Sequence, residues 1–159
     1  MPVIFTRIDD RLVHGQVVEG WIPFLDINEV VVVSAVAAKD DMRKTLMRLS
    51  LPEDVSLKVM DMEVAPDYLK KAHENPRRIL VLAPSPREIA ELLEKGVPFE
   101  SVNVGGMHYS VGKIQIGRAI FLGDADVQSL KAITARGVRL EGRGVPTDKT
   151  LDIAHMLER

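Results

Sequence analysis

The 159-residue sequence contains no cysteine, which excludes disulfides, thiolate nucleophiles and cysteine-ligated metals. No apolar run approaches the roughly 20 residues needed to cross a bilayer. No basic N-terminal segment leads into an apolar stretch, as a secretion signal would require. A cytosolic protein is the expectation. An excess of one charge is missing too: 21 Lys and Arg stand against 23 Asp and Glu, a formal net charge of −2. That balance gives no electrostatic case for nucleic acid or for a membrane surface as partner. No pair of histidines four apart marks a helical metal site, and no serine follows the nucleophile-elbow pattern. Repeats, low-complexity segments and linkers are also absent, so residues 1–159 are expected to form one domain, long enough for a substantial core.

What the chain does have is an alternation of strands and helices. Val3, Ile4 and Phe5 read as a first strand. Val30-Val31-Val32-Val33 and Ile79-Leu80-Val81-Leu82-Ala83 are uninterrupted runs suited to strands buried on both faces of a parallel sheet. Leu57 with Val59, Ser101 to Val104, and Val138 to Glu141 add further strands. Between them fall helical patterns. Val17, Val18, Trp21 and Ile22 make one apolar face, with Trp21 as its anchor and Pro23 as its expected end. Asp40 to Leu49 carries Met42, Leu46 and Leu49 on one side, and Ala65, Leu69 and Ala72 mark the next helix. Ser85 and Glu88 suggest a capping box ahead of Ile89, Leu92 and Leu93, with Gly96 as terminator. Asp124 is placed to cap a helix through Val127, Leu130 and Ile133 that Gly137 ends, and Pro146 to Leu157 reads as a last helix. The predicted fold is α/β: an open, mainly parallel sheet of about seven strands with helices on both faces. No crossover helix fits between Gly112 and Gly123, which predicts at least one antiparallel strand in that C-terminal third.

Open sheets of this kind bind ligands beyond the carboxyl ends of their strands. The stretch Arg7-Ile8-Asp9-Asp10-Arg11-Leu12-Val13-His14-Gly15-Gln16 occupies such an edge, between the first strand and the first helix. A helix N-terminus offers unpaired N–H groups and the positive end of a dipole, both suited to an anion. Arg11 adds a fixed cation, and Gly15 permits close backbone approach. Gly15 and Gln16 would offer backbone N–H donors to a phosphate. His14 is then placed to carry a phosphoryl group, and Asp9 or Asp10 to hold its imidazole through the second ring nitrogen. Either aspartate could instead cap the loop; spacing does not separate them, and Asp9 is the favoured one. Taken singly, His14 also reads as an exposed capping residue and Arg11 as a surface cation paired with Asp9 or Asp10. His73 and His155 read as exposed or structural, whereas His108, in a glycine-rich loop at the same edge, borders the site or a partner surface, or packs.

The ten-residue string as a whole resembles the phosphorylation-site signature of the mannose/sorbose family IIB components of the bacterial sugar phosphotransferase system. Arg43-Lys44-Thr45-Leu46, Asn103-Val104-Gly105-Gly106-Met107 and Val145-Pro146-Thr147-Asp148 look like family stretches in the same order. The resemblance implies a cytoplasmic phosphocarrier associating peripherally with a membrane transporter. His14 would take a phosphoryl group, through Nδ1, from a IIA domain and pass it to a sugar held by membrane components IIC and IID. Arg11 would offset the phosphoryl charge, with Asp9, Asp10, Gly15 and Gln16 around it. No metal or other cofactor is implied, because the donor is not a nucleotide. Family members are homodimeric or fused to IIA. Ser34-Ala35-Val36 departs from the acidic or amide residues many members carry there, which bears on docking or substrate preference. Two other readings stay open: a regulatory module phosphorylated at His14 outside sugar uptake, and a hydrolytic or metal-dependent enzyme using His14, Asp9 and His108.

Overall fold

A computed structural model describes residues 3–158. Strands β1 (Val3–Ile8), β2 (Glu29–Val33), β3 (Ser56–Met60), β4 (Ile79–Ala83) and β5 (Ser101–Val104) form the larger part of the main sheet. A short hairpin, β6 (Ile114–Gln115) and β7 (Phe121–Leu122), lies apart, and β8 (Arg139–Gly142) and β9 (Leu151–Asp152) return to the sheet. Its order is β3-β2-β4-β1-β5-β8-β9, parallel throughout except where β9 runs against β8. β1 connects outward to β2, while its neighbour β5 connects the other way, to β8. Such a reversal opens a crevice at the carboxyl ends of the two strands.

The sheet is apolar on both faces where β2 and β4 run, and alternate side chains divide between two layers. Val30, Val32, Leu80 and Leu82 pack with Leu12, Val17, Ile22 and Met47 on one side. That layer is closed by a π-helical turn (Gln16–Trp21), α1 (Ile22–Leu25), α2 (Ala35–Ala38) and α3 (Asp41–Ser50). Val31, Val33 and Val81 face the larger second layer, with Ile89, Leu92, Leu130 and Ile133. It is covered by α4 (Ala65–Lys70), α5 (Pro86–Glu94), α6 (Asp124–Ala135) and α7 (Ile153–Leu157).

Several expected boundaries move. β1 runs through Ile8, so Arg7 belongs to the strand and not to the loop after it. Pro23 does not close the first helix, which continues to Leu25. Pro23 sits in the first turn of α1, directly after the π-helical turn, and Asp26 turns the chain at φ 56°. In α3 the expected apolar face points outward: Met42, Leu46 and Leu49 are exposed, while Met47 and Leu51 are buried. The inward row 43–47–51 lets the stems of Arg43 and Lys44 lie half-buried beside Met47. Ser85 Oγ bonds the Glu88 carboxylate and not a backbone group. At α6 it is Asp126, not Asp124, that accepts from the Gly123 N–H, at 2.9 Å. The antiparallel pairing expected between Gly112 and Gly123 is present as β6–β7, but as a separate two-stranded ribbon. The predicted last helix is shorter, because Leu151 and Asp152 pair with β8 before α7 begins. The terminators Gly96 and Gly137 take φ 92° and 81°, the left-handed values glycine tolerates.

Candidate functional site

At the end of β1 the chain turns sharply. The Leu12 N–H donates to Asp9 O at 3.0 Å, and Leu12 itself takes φ 59° although it carries a side chain and is fully buried. A left-handed residue of that bulk is strained and is held by its packing. The turn sends Asp9 inward. Its carboxylate, buried, accepts from Arg7 Nη2 at 2.9 Å and from the Gly106 N–H at 3.1 Å. It also accepts from the Arg11 N–H and Nε, both at 3.1 Å, and from Arg11 Nη2 at 3.2 Å. His14 Nε2 lies 3.0 Å from the same Asp9 Oδ2. Burial alone would raise the Asp9 carboxyl, but the hydrogen bonds from His14 and Arg11 and the charge of Arg7 prevail and hold it well below the usual carboxylate range.

An ionised Asp9 can only accept, so Nε2 of a neutral His14 carries the ring proton and Nδ1 keeps the lone pair. Asp9, and not Asp10, therefore faces the imidazole. The Asp10 carboxylate turns aside and accepts from the His108 N–H at 2.7 Å and pairs with His108 Nδ1 at 2.6 Å. Arg11 stays more than a third exposed, and its Nη2 also donates to Gln16 Oε1 at 3.0 Å. The Gln16 side chain thus orients two arginines, since Arg7 Nη2 donates to the same oxygen at 3.1 Å. Gly15 opens the helical run, with space where a Cβ would stand. The Val17 and Val18 N–H groups both donate to His14 O, at 3.0 and 2.9 Å, so the opening of the run is formed by Gly15 and Gln16. His73 and His155 lie elsewhere, exposed on the surface.

Beneath this cluster is a network that sequence reasoning missed. Arg7 is fully buried on β1, in register with Asn103 on β5, which is in register with Glu141 on β8. Arg7 Nη1 donates to Asn103 Oδ1 at 2.6 Å and to Arg143 O at 2.9 Å. Asn103 Nδ2 donates to Glu141 Oε1 at 3.0 Å, and Glu141 pairs with Arg143 Nε at 2.7 Å. The Arg143 guanidinium lies 4.9 Å from the Trp21 ring centroid, and Trp21 Nε1 donates to Gly144 O at 2.9 Å. Phe5 stacks on the indole with centroids 4.3 Å apart. Burial lowers the Arg7 guanidinium pKa, with Asp9 opposing that shift. The available signal was a polar side chain interrupting each of three strands: Arg7 after Thr6, Asn103 inside Ser-Val-Asn-Val, and Glu141 near a strand end.

Gly105 and Gly106 close the cluster from β5. A Cβ at Gly105 would overlap the Arg7 guanidinium and lie 2.6 Å from Asp9 Oδ2; one at Gly106 would lie 2.7 Å from Arg11 Nη2. At Gly105, set against the buried Arg7 and Asp9, only glycine permits that approach. Beside Arg11 and Gln16 opens a recess of about 660 Å³, lined also by Gly106, Arg118, Arg143 and Lys149. Among the described residues no three His, Asp or Glu side chains gather as a metal site, and no helix is long and apolar enough to cross a membrane.

Residues 3–159 match the family described as the sorbose subfamily IIB component of the PTS system. The sorbose-specific EIIB component of Lacticaseibacillus casei is 34% identical over 96% of this chain and 93% of its own. The mannose-specific EIIAB component of Escherichia coli K12 is 35% identical over all of this chain, which spans 49% of that relative. Among solved structures, the IIBSor domain of the Klebsiella pneumoniae sorbose permease superposes with a TM-score of 0.92 at 27% identity, covering 99% of this chain and 97% of the other. The N-acetylgalactosamine-specific IIB component 1 of Escherichia coli gives 0.87 at 35% identity, covering 93% and 97%.

Proposed function

The chain belongs to the sorbose-subfamily IIB components of the sugar phosphotransferase system, and from that premise we propose that it is a cytoplasmic phosphocarrier with His14 as its carrier residue. The supporting observation is the grip of Asp9 on Nε2 of His14, which leaves Nδ1 as the nucleophile. Nδ1 attacks the phosphorus of a phosphohistidine on a IIA domain; the new P–N bond forms as the donor's P–N bond breaks, and the donor nitrogen keeps the electron pair. His14 then carries a positive charge shared between its two nitrogens, which the anionic Asp9 stabilises without taking the proton. Arg11 reaches from the half-exposed rim to the phosphoryl oxygens, and the N–H groups of Gly15 and Gln16 lie at the opening of the helix. Little covalent chemistry is asked of the protein; placement and a prepared field supply the catalysis.

In the second transfer the same bond is broken in favour of a hydroxyl of a sugar held by IIC and IID. The relatives are named for sorbose, mannose, fructose and N-acetylgalactosamine at similar identity, which agrees with sugar choice residing in those membrane partners. Incubation with phosphorylated IIA should place one phosphate on the protein, stable in base and lost in mild acid, as expected of phosphohistidine. The label should map to His14 and vanish in His14→Ala, while His73→Ala and His155→Ala label normally. Acid-stable label, or label retained in His14→Ala, would refute the assignment.

A further inference from the structure

The loop between β5 and β6 is bound to the His14 loop, yet it ends in apolar side chains exposed to water. Tyr109 is 62% exposed, Val111 95% and Ile114 58%. Val111 is followed by Gly112 at φ 90°, which puts it at the crest of a turn. The loop that carries this crest is held at the site through Asp10. Asp10 bonds both the backbone and the ring of His108. The Asp10 N–H donates to Gly106 O at 3.0 Å. Arg118 and Ala119, on the return arm, line the same recess as Arg11 and Gln16. Tyr109 also packs edge-on against Phe121, with centroids 5.5 Å apart, and Lys113 Nζ donates to His108 O at 3.1 Å. The apolar crest is thus a shaped feature carried on a hairpin.

We propose that residues 109–118 are the docking rim for the protein that delivers the phosphohistidine. This rests on the carrier reading of His14. Any donor must bring its phosphorus to Nδ1, and the loop that carries the crest is bonded to the His14 loop through Asp10. The choice of donor over acceptor follows from charge. A phosphohistidine arrives as an anion, and Arg118, which lines the same recess as Arg11, adds cationic surface to meet it, whereas a sugar hydroxyl arrives neutral. The matching surface on the donor is an apolar depression beside its phosphohistidine, with an acidic rim. An encounter of that kind is small, transient and guided by charge, with one or two apolar anchors supplying most of the affinity.

Val111→Asp and Ile114→Asp test this, the first at a position too exposed to affect folding. Transfer is measured over a range of phosphorylated IIA concentrations, and separately with phosphoramidate, a small donor that needs no docking surface. Each variant should raise the KM for IIA about tenfold while changing kcat little, the loss expected for one interfacial anchor. Labelling by phosphoramidate should stay at the wild-type rate. An unchanged KM in both variants overturns the docking rim and leaves the carrier reading standing. Loss of labelling by both donors overturns it too, by placing the hairpin in the chemistry. Wild-type binding to phosphatidylglycerol vesicles that Val111→Asp abolishes, with KM for IIA unaltered, assigns the crest to the membrane and overturns the proposal. A wild type that takes phosphate from neither source overturns the carrier reading and this one with it.

Discussion

On one side of β1 the sheet is hydrocarbon except for Glu29 at the start of β2, whose buried carboxylate is held by Ser56, Tyr68 and Asn75; on the other it is built around a buried guanidinium. β2 and β4 place Val30 to Val33 and Ile79 to Ala83 at essentially no exposure. Across β1, Arg7 and Asn103 lie equally deep, and the row ends at the half-buried Glu141, so two charges and an amide stand in register. The first half needs only shape: each buried side chain gains by leaving water, and neighbours adjust to its loss. The second needs every donor and acceptor matched, because an unmatched charge in the interior is costly. That matching is nearly complete: among the described residues, Arg7 Nε is the one buried side-chain polar atom lacking a partner. The polar half ends at Asp9, and through Asp9 at His14. The apolar half supplies burial, and the polar half the fixed charges that surround His14.

The difference is broken most severely at Asp9. Asp9→Asn leaves Arg7 buried without its anion and should cost about 3–5 kcal/mol, read from urea unfolding. Arg7→Met combined with Asp9→Asn should cost less than the sum of the two single changes, since removing both charges leaves neither orphaned. The acid limb of stability sharpens the point. The Asp9 carboxyl is depressed in the folded state, so its contribution is complete above the unfolded aspartate pKa of about 3.9 and is lost as pH falls below that value. Asp9→Asn should therefore flatten the fall in stability below about pH 4. A fall as steep as that of wild type would assign the acid sensitivity to other carboxylates.

The apolar half should respond more mildly. Val31→Ala, at a fully buried position, should cost on the order of 1–3 kcal/mol through lost burial and a residual cavity. The acid limb should keep its wild-type shape, because no charge loses its partner. A change in that shape would mean that the two halves are coupled through β4 and β1.

The two halves were also unequally legible in the sequence. Val30 to Val33 and Ile79 to Ala83 announce themselves by composition, and their burial follows from a parallel sheet. Arg11, Asp9 and His14 were legible because they sit within six consecutive residues beyond a strand. Choosing Asp9 over Asp10 depended on the turn at Leu12, whose positive φ has no marker in a leucine. Arg7 was hidden because a charged residue after an apolar run reads as the end of a strand. Its partners Asn103 and Arg143 lie 96 and 136 residues away in the chain, so only the sheet register brings them together. β9 was missed because two residues are too few to show alternation.

The smallest expected effect belongs to the place where helical periodicity pointed the wrong way. Met42, Leu46 and Leu49 share one side of α3, and the ordinary reading of such a stripe is a face turned to the core. Leu46 is instead 61% exposed while its neighbour Met47 is 5% exposed, so adjacent residues test which row faces the sheet. Leu46→Gln removes little buried apolar area and keeps a good helix former, so it should shift stability by no more than about 0.5 kcal/mol. Truncating Met47 to Ala belongs with the Val31 class, because its side chain packs in the layer with Val30, Val32 and Leu80. If Leu46→Gln instead cost as much as Met47→Ala, Leu46 would be buried in solution, and α3 would lie on the sheet turned by roughly the 100° that separates successive residues of a helix.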